Sequence, residues 1–541
     1  MGVKLIYGDI AVGAKEDFTP TISDKQNFVN LSQLQQEDFT LPYYISPCEL
    51  YQTILDDREM EFLPSDLNTA KTGLWSLQQS NADKTFTAPI TLTLLSPQYY
   101  SSQGIMLTFD KGGNQFCTDL NVKWYQGSTL LSDMDFTPGD AVYYCENKVD
   151  AYNKLVITFR AMNLPHAYLK LESIDYGTMR IFLGDEIAAA SINQEISPIS
   201  QQITINTFDF TLRSKSNVDY VFQSKQPIEI YFNGQLKGVH FVDKSKRTKA
   251  DTWSVQTIDY IGLLDKSQFL GGIYSNKNAY DLLVEIMTEA RVPFKMADSL
   301  KAKAVSGHLP ISSCREALMQ LAFAIGAVVD TSNTNKVTID TLSLDNKHSF
   351  TLNEIYQGQS YEQSDKLTQF DLTSHTYIAT TETVEAYDAS DSGTGNEMFV
   401  AFSEPLHSLT ITNGSIVESG ANYAVINANS SNCILTGRKY NHLAKVVSIK
   451  NPLVTAADLP NVVSIEKATL IGNSNVEDIA QRCYDYFAET TTVNAKLLIT
   501  GEKTGDLVTL DSDFLAPKTG HIEKMNYNLN GNIIAANVVV K

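Results

Sequence analysis

Cysteine is sparse and scattered. Six cysteines, at positions 48, 117, 145, 314, 433 and 483, stand in 541 residues without one CxxC pair. That spacing argues against a disulfide framework or a zinc site and for buried free thiols. Cys314 and Cys483 fall on apolar helix faces, and Cys117 and Cys145 are the one pair within a single β-region. Positive charge is also in short supply, since Lys plus Arg is 42 against 62 for Asp plus Glu, a formal charge of −20. Such an excess repels nucleic acid and anionic lipid and favours solubility. No apolar run approaches the ~18 residues of a membrane helix. The opening MGVKLIYGDI lacks a basic region followed by an apolar run, so the chain reads as made and kept in the cytoplasm. A Walker loop, a dinucleotide-binding glycine pattern, HExxH, GxSxG and paired zinc ligands are all missing. The expectation is therefore a protein that is not an enzyme, with no catalytic, cofactor-binding or metal residue and no cofactor.

What is present is a chain of ordinary globular composition, 43% hydrophobic and 19% charged, which argues against long disorder. Ser313 followed by Glu316 has the form of a capping box, and Cys314, Ala317, Leu318, Leu321, Ala322 and Ile325 recur at helical spacing up to Gly326. Val328-Val329 and Val337-Thr338-Ile339 then flank a turn-rich stretch, so this helix hands over to a β-hairpin. Ala279, Leu282, Leu283, Ile286, Met287 and Ala290 mark an earlier amphipathic helix that stops before Pro293. A third helix is expected behind a capping box from Ser474 to Glu477, with Val476, Ile479, Ala480, Cys483, Tyr484 and Phe487 on one stripe.

The remainder alternates at strand spacing. From Trp75 to Gly177, short strands such as GIMLTF, LNVKWY and KLVITF recur regularly, the signature of a β-sandwich of about 100 residues. A second β-block runs from Met179 to Asp265, with a tight hairpin turn at Asn233-Gly234. Residues 1–69, including PYYISPCELYQTILDD, read as an arm or docking segment, and AYDASDSGTGNE reads as an insertion or loose polar tip.

The candidate chemistry is thin. Asp133, Asp135, Gly139 and Asp140 in LSDMDFTPGD suggest a calcium loop, but Pro138 and the spacing break the EF-hand pattern, leaving a polar turn. His240 and Asp243, near Lys244, Lys246 and Arg247, have the form of an acid/base pair beside an anion site. No nucleophile accompanies them, and a solvated hairpin end is the simpler reading. His521 and Glu523 share a strand face without a third ligand. Trp124-Tyr125 and Tyr143-Tyr144 suit stacking on sugar rings or packing of a sandwich core.

Two resemblances organise these elements. The early WS, the central LTFDKGGNQFCTDLNVKWYQG and YLKLESIDYG resemble discoidin-type jelly rolls, which commonly bind carbohydrate or lipid through loops at one end. TINTFDFTLRS, IEIYFNGQLKGVHFVD, WSVQTIDYIGLLD, REALMQLAFAIGAVVDTSNTNKVTID and the terminal GEKTGDLVTLDS with GHIEKMNYNLNGNIIAANV resemble the tail hub (baseplate hub, tail-tip) proteins of tailed phages and phage-like particles of Gram-positive bacteria. The fold this implies is mainly β with α+β parts: two hub-type β-barrels, a central α+β domain and an N-terminal jelly-roll-like β-sandwich. The implied division is an arm over 1–69, the discoidin-like sandwich over 70–177 and a first barrel over 178–268. The central domain follows over 269–345, a second barrel is shared between 346–397 and 490–541, and a β-region with a helix is inserted over 398–489.

The implied function is structural: a virion component that joins a six-fold tail tube to a three-fold tip or spike and forms part of the channel for DNA. The implied partners are two further copies in a homotrimer, the tail tube or distal tail protein above, a spike or fibre protein below and the tape-measure protein in the channel. DNA would pass without specific binding, host-surface glycan is a further candidate partner, and assembly in the host cytoplasm would precede residence in the tail tip. The alternative is a carbohydrate-binding or carbohydrate-active protein that uses the sandwich. Ile203 to Leu212 and Ala535 to Val540 carry few blocking charges, as strands that pair between chains do, or as interior strands of their own barrels do.

Overall fold

The computed structural model describes residues 2–26, 31, 34, 73–110, 113–214, 220, 222–529 and 534–541. Cys48 and the stretch PYYISPCELYQTILDD lie outside the described residues. The protein is mainly β with α+β parts, and its chain divides into two compact units. One is residues 6–181 with 220–227, and the other is residues 1–5, 182–219 and 228–541.

In the first unit a single sheet runs in the order Leu74–Gln79, Tyr168–Asp175, Thr85–Phe109, Val142–Met162, Cys117–Gln126, Thr129–Phe136, with Thr19–Ile22 added to Thr85–Phe109. The two central strands are 25 and 21 residues long, and their pairing carries four register shifts. Shifts of this kind bend strands, so one sheet can surround a core that holds Leu92, Leu107, Trp124, Ile157 and Leu169. The expected arm does not begin as one. Ala11, Ala14 and Phe18 belong to the same core, and the Phe18 ring stacks on Tyr176 with centroids 4.7 Å apart. A fully buried aromatic so early in the chain anchors the segment that leads into Thr19–Ile22, which pairs with Thr85–Phe109.

In the second unit one hydrogen-bonded path passes through Ser360–Gln363, Thr491–Ile499, Ile534–Val540, Lys518–Asn528, Ile187–Glu195, Thr207–Arg213, Thr252–Ile258, Gln235–Lys249 and Pro227–Phe232. Asn233 and Gly234, with φ of 50° and 84°, make the tight turn between the last two. Alternate residues are buried, among them Phe208, Phe210 and Leu212 on one strand and Val493, Ala495, Leu497 and Ile499 on another, so each group of strands has one inward face. Thr207–Arg213 and Ile534–Val540 each have a neighbour on both sides. They are interior strands, the second of the two readings their sequence allows, and they are not edges open to another chain.

The helix Cys314–Ile325 forms as its sequence requires. Ser313 accepts from the Glu316 N–H, Gly326 closes the end at φ 70°, and Val328–Asp330 pairs with Val337–Asp340 as a hairpin. Asn278 caps Ala279–Glu289, and both helices bury their stripes in one core with Ile479, Ala480 and Cys483. The third helix, Val476–Ala488, lacks the expected capping box. Asn475 stands at its N-cap without a side-chain cap bond, because its amide donates to the carbonyls of Ala324 and Leu470 and accepts from Gly472.

The stretch 369–388 was assigned to the second barrel, yet it pairs with Ile434–Lys450 and Val462–Ile465 in a separate four-stranded sheet. Phe370 and Leu372 enter the helical core there, which fixes the strand away from the barrel path. AYDASDSGTGNE is ordered by Tyr387 and Ala389, which are buried in a small core with Ile426 and Leu435, and by Asp388, which caps a short helix at Ser390. Among the described residues no helix is long and apolar enough to cross a membrane.

Candidate functional site

The feature that joins the two groups of barrel strands is an antiparallel seam between Ile187–Glu195 and Lys518–Asn528. Its register sets Ser191 opposite Asn528, Ile192 opposite Tyr527, Asn193 opposite Asn526, Gln194 opposite Met525 and Glu195 opposite Lys524. Residues two apart on a strand face the same side of a sheet, so Ile192, Tyr527, Gln194 and Met525 share one face, and all four are buried. The polar members pair among themselves. Asn526 donates to Asn193, Asn193 donates to Thr207, and Lys524 meets Glu195 at 3.1 Å. Partners more than 300 positions apart in sequence thus meet as directly as those of a hairpin.

A buried polar network ties the same group of strands to the central domain. Asp259, at the end of Thr252–Ile258, accepts from the N–H groups of Ile261 and Gly262 and from the Thr331 hydroxyl, and Asn206 donates to that hydroxyl. Burial pushes the Asp259 carboxyl up to about 7, against the hydrogen bonds that pull it down. Thr331 lies in the hairpin turn after Cys314–Ile325, so the cap of one short helix is shared across two elements.

The strand path ends at Ser360–Gln363, only four residues long, with Tyr361 set edge-on to Phe514. Phe514 is 63% exposed, and Tyr356 and Leu515 are exposed nearby in sequence. A short polar strand at a sheet end limits indiscriminate pairing.

No family model matches the chain, and no curated protein does. Solved structures similar to it include tail and baseplate proteins. A tail protein from Neisseria meningitidis is 10% identical, with 67% of this chain and 93% of that chain covered and a TM-score of 0.43. A prophage tail protein from Listeria monocytogenes is 11% identical over 68% of this chain and 91% of its own, with a TM-score of 0.39. The family 32 CBM from C. perfringens NanJ, solved in complex with galactose, is 10% identical, with 31% and 96% covered and a TM-score of 0.20. All three likenesses are distant.

The residues singled out for chemistry take ordinary structural places. Asp133 pairs with Lys123 and Asp135 with Arg160, and both accept from Asn121, whereas Asp140 bonds the Ala141 N–H. His240 is no solvated hairpin end. It is 2% exposed, edge-on to Phe208, and burial pushes its imidazole down to about 3. Asp243 turns to Lys266 instead, so the two do not form an acid/base pair. His521 bonds the Ser343 carbonyl, while Glu523, raised by burial, bonds Tyr486. Trp124 is fully buried against Phe136, and the Tyr144 hydroxyl is buried too. Cys117 and Cys145 are buried free thiols, pushed up by burial to about 11 and about 12. Among the described residues no group of three metal-binding side chains converges.

The seam and the Asp259 network were missed in the sequence. The one local signal was Asp259 itself, an N-cap residue placed directly before YIGLLD.

Proposed function

We propose that the chain is a structural hub of a phage or phage-like tail, joining a six-fold tube to a three-fold tip and lining part of the passage for DNA. The observation that carries this reading is the seam. One chain supplies two groups of barrel strands joined edge to edge, and the second group is assembled from segments on either side of the inserted region, at 346–363 and 491–540. Two such groups per chain and three chains give six positions, the number a six-fold tube presents, and closed symmetry protects strand edges.

The other parts of the proposal follow from that arrangement. The partners are two further copies, the tube or distal tail protein, a spike or fibre protein and the tape-measure protein. The tail tip is the final location, reached by assembly in the host cytoplasm, and catalysis has no part in it. A net charge of −20 suits a wall past which DNA slides without sticking. The competing carbohydrate reading gains nothing from the aromatic pairs, since Trp124 and the Tyr144 hydroxyl face inward.

Deletion of the gene from a particle-producing strain tests the proposal. A hub joins the tube to the tip, so particles without complete tails are expected. Complete tails of normal length would overturn the reading.

A further inference from the structure

Three of the eight histidines gather where the inserted sheet meets the central domain of the second unit. His375 on Gln369–Asp388 and His442 on Ile434–Lys450 face each other, Nδ1 to Nε2, at 2.9 Å. Tyr377 stacks on His442 with centroids 4.6 Å apart and meets the edge of His308 at 5.4 Å. The outer contacts fix the protons. His375 Nε2 faces the Glu466 carbonyl at 2.9 Å, and a carbonyl only accepts, so Nε2 carries the hydrogen and Nδ1 is a lone pair. His442 Nε2 must then be the donor between the rings. Asn422 donates through its amide to the Leu270 and Leu309 carbonyls, which leaves its oxygen to accept from His308 Nε2. The backbone follows the same path, with the His375 N–H donating to Ile471, the His308 N–H to Thr469 and the Thr469 hydroxyl to His308.

This arrangement tolerates one proton and not two. One added proton still leaves one donor facing one acceptor between the two rings. A second proton belongs on His375 Nδ1 and leaves two donors facing each other. No carboxylate side chain among the neighbours eases a second proton. His442 is the charged group that opposes protonation of both His375 and His308, Glu466 meets His375 through its backbone, and Asn422 is neutral. No carboxylate, ammonium or guanidinium side chain of Gln369–Asp388, of Ile434–Lys450 or of residues 466–467 bonds these rings. Burial holds His375 and His308 below the ordinary imidazole range.

We propose that the His308–Tyr377–His442–His375 train is an acid-released latch: neutral imidazoles hold the strands of the inserted sheet to residues 466–471 and to His308, and a second proton on the His375–His442 pair lets go. The latch stands apart from the hub reading, because it follows from ring geometry alone.

The test is hydrogen exchange of the full chain at about pH 7.5 and about pH 5, with peptides from 369–388 and 434–450 read against peptides from 117–162 as the internal control. Protection in the latch strands should fall about tenfold more than intrinsic rates and the control require. In His442→Gln, whose amide still donates to His375 but takes no proton, the extra loss should vanish. No extra loss in the wild type, or the same loss in the variant, overturns the proposal. If the variant does not fold, titration of the imidazoles in the wild type by nuclear magnetic resonance decides. Two coupled steps more than about one unit apart support the latch, and two independent titrations near the ordinary value overturn it.

Discussion

Replacing His240 by phenylalanine should remove an acid sensitivity without weakening the protein at neutral pH. The imidazole is fully buried, its Nδ1 has no hydrogen-bond partner, and burial pushes it from 6.5 down to about 3. A depressed value means that the unfolded chain binds the proton first, so the stability His240 allows is complete above about pH 6.5 and drains as pH falls toward about 3. At about pH 5 the unfolded imidazole is almost wholly charged and the folded one is neutral, which amounts to a loss of about 2 kcal/mol relative to pH 7.5. Phenylalanine preserves the edge-on contact with Phe208 and discards an unsatisfied nitrogen, so at neutral pH the change should lie within about 1 kcal/mol of zero. Hydrogen exchange in Thr207–Arg213 and Thr252–Ile258 isolates this part of the molecule. The protection ratio of variant to wild type should rise about thirtyfold between the two pH values, because carboxylates common to both cancel. A constant ratio, or a variant more than about 2 kcal/mol weaker at neutral pH, would show that the imidazole is held by something the geometry lacks.

Three further outcomes follow from single contacts. Gly307→Ala should lower thermal stability sharply, by about 3 kcal/mol or more, since its φ is 147° and an added Cβ would lie 2.1 Å from the Thr469 carbonyl oxygen; an unchanged melting temperature would contradict that packing. A fragment covering 6–181 with 220–227 should unfold more cooperatively than one covering 70–177, because the shorter piece loses Phe18, a fully buried ring worth about 3–5 kcal/mol, and calorimetry distinguishes them. Asp259→Ala should cost about 3 kcal/mol in urea unfolding, because two helix N–H groups and the Thr331 hydroxyl lose their acceptor, whereas Asp259→Asn should cost less than half of that.

Local signals were readable in the sequence and long-range pairing was not. Ser313 with Glu316, the stripe ending at Gly326 and the Asn233-Gly234 turn each depend on a few adjacent residues, and each formed. Alternation in Thr207–Arg213 and Ile534–Val540 reveals that one face is buried, but it does not count neighbours, so the sequence left edge and interior strands undistinguished. His240 was misplaced because the basic run after Asp243 suggested solvent, while the preceding Gly238–Val242 stretch was already buried. Asn475 is a good cap residue by type, but a tertiary contact to Ala324 takes its side chain out of the cap. The seam, the Asp259 cap network and the histidine train unite residues about 70 to 340 positions apart, beyond the reach of any periodicity.

The central claim is that this chain occupies the axis of a tail as three copies. Electron cryo-microscopy of the assembled tail tip tests it most directly, with the seam strands Ile187–Glu195 and Lys518–Asn528 as the landmark for placing each copy. The account predicts three chains around a channel, their joined strand groups alternating in six positions beneath the tube. Six copies, or a position on the periphery away from the axis, would contradict it.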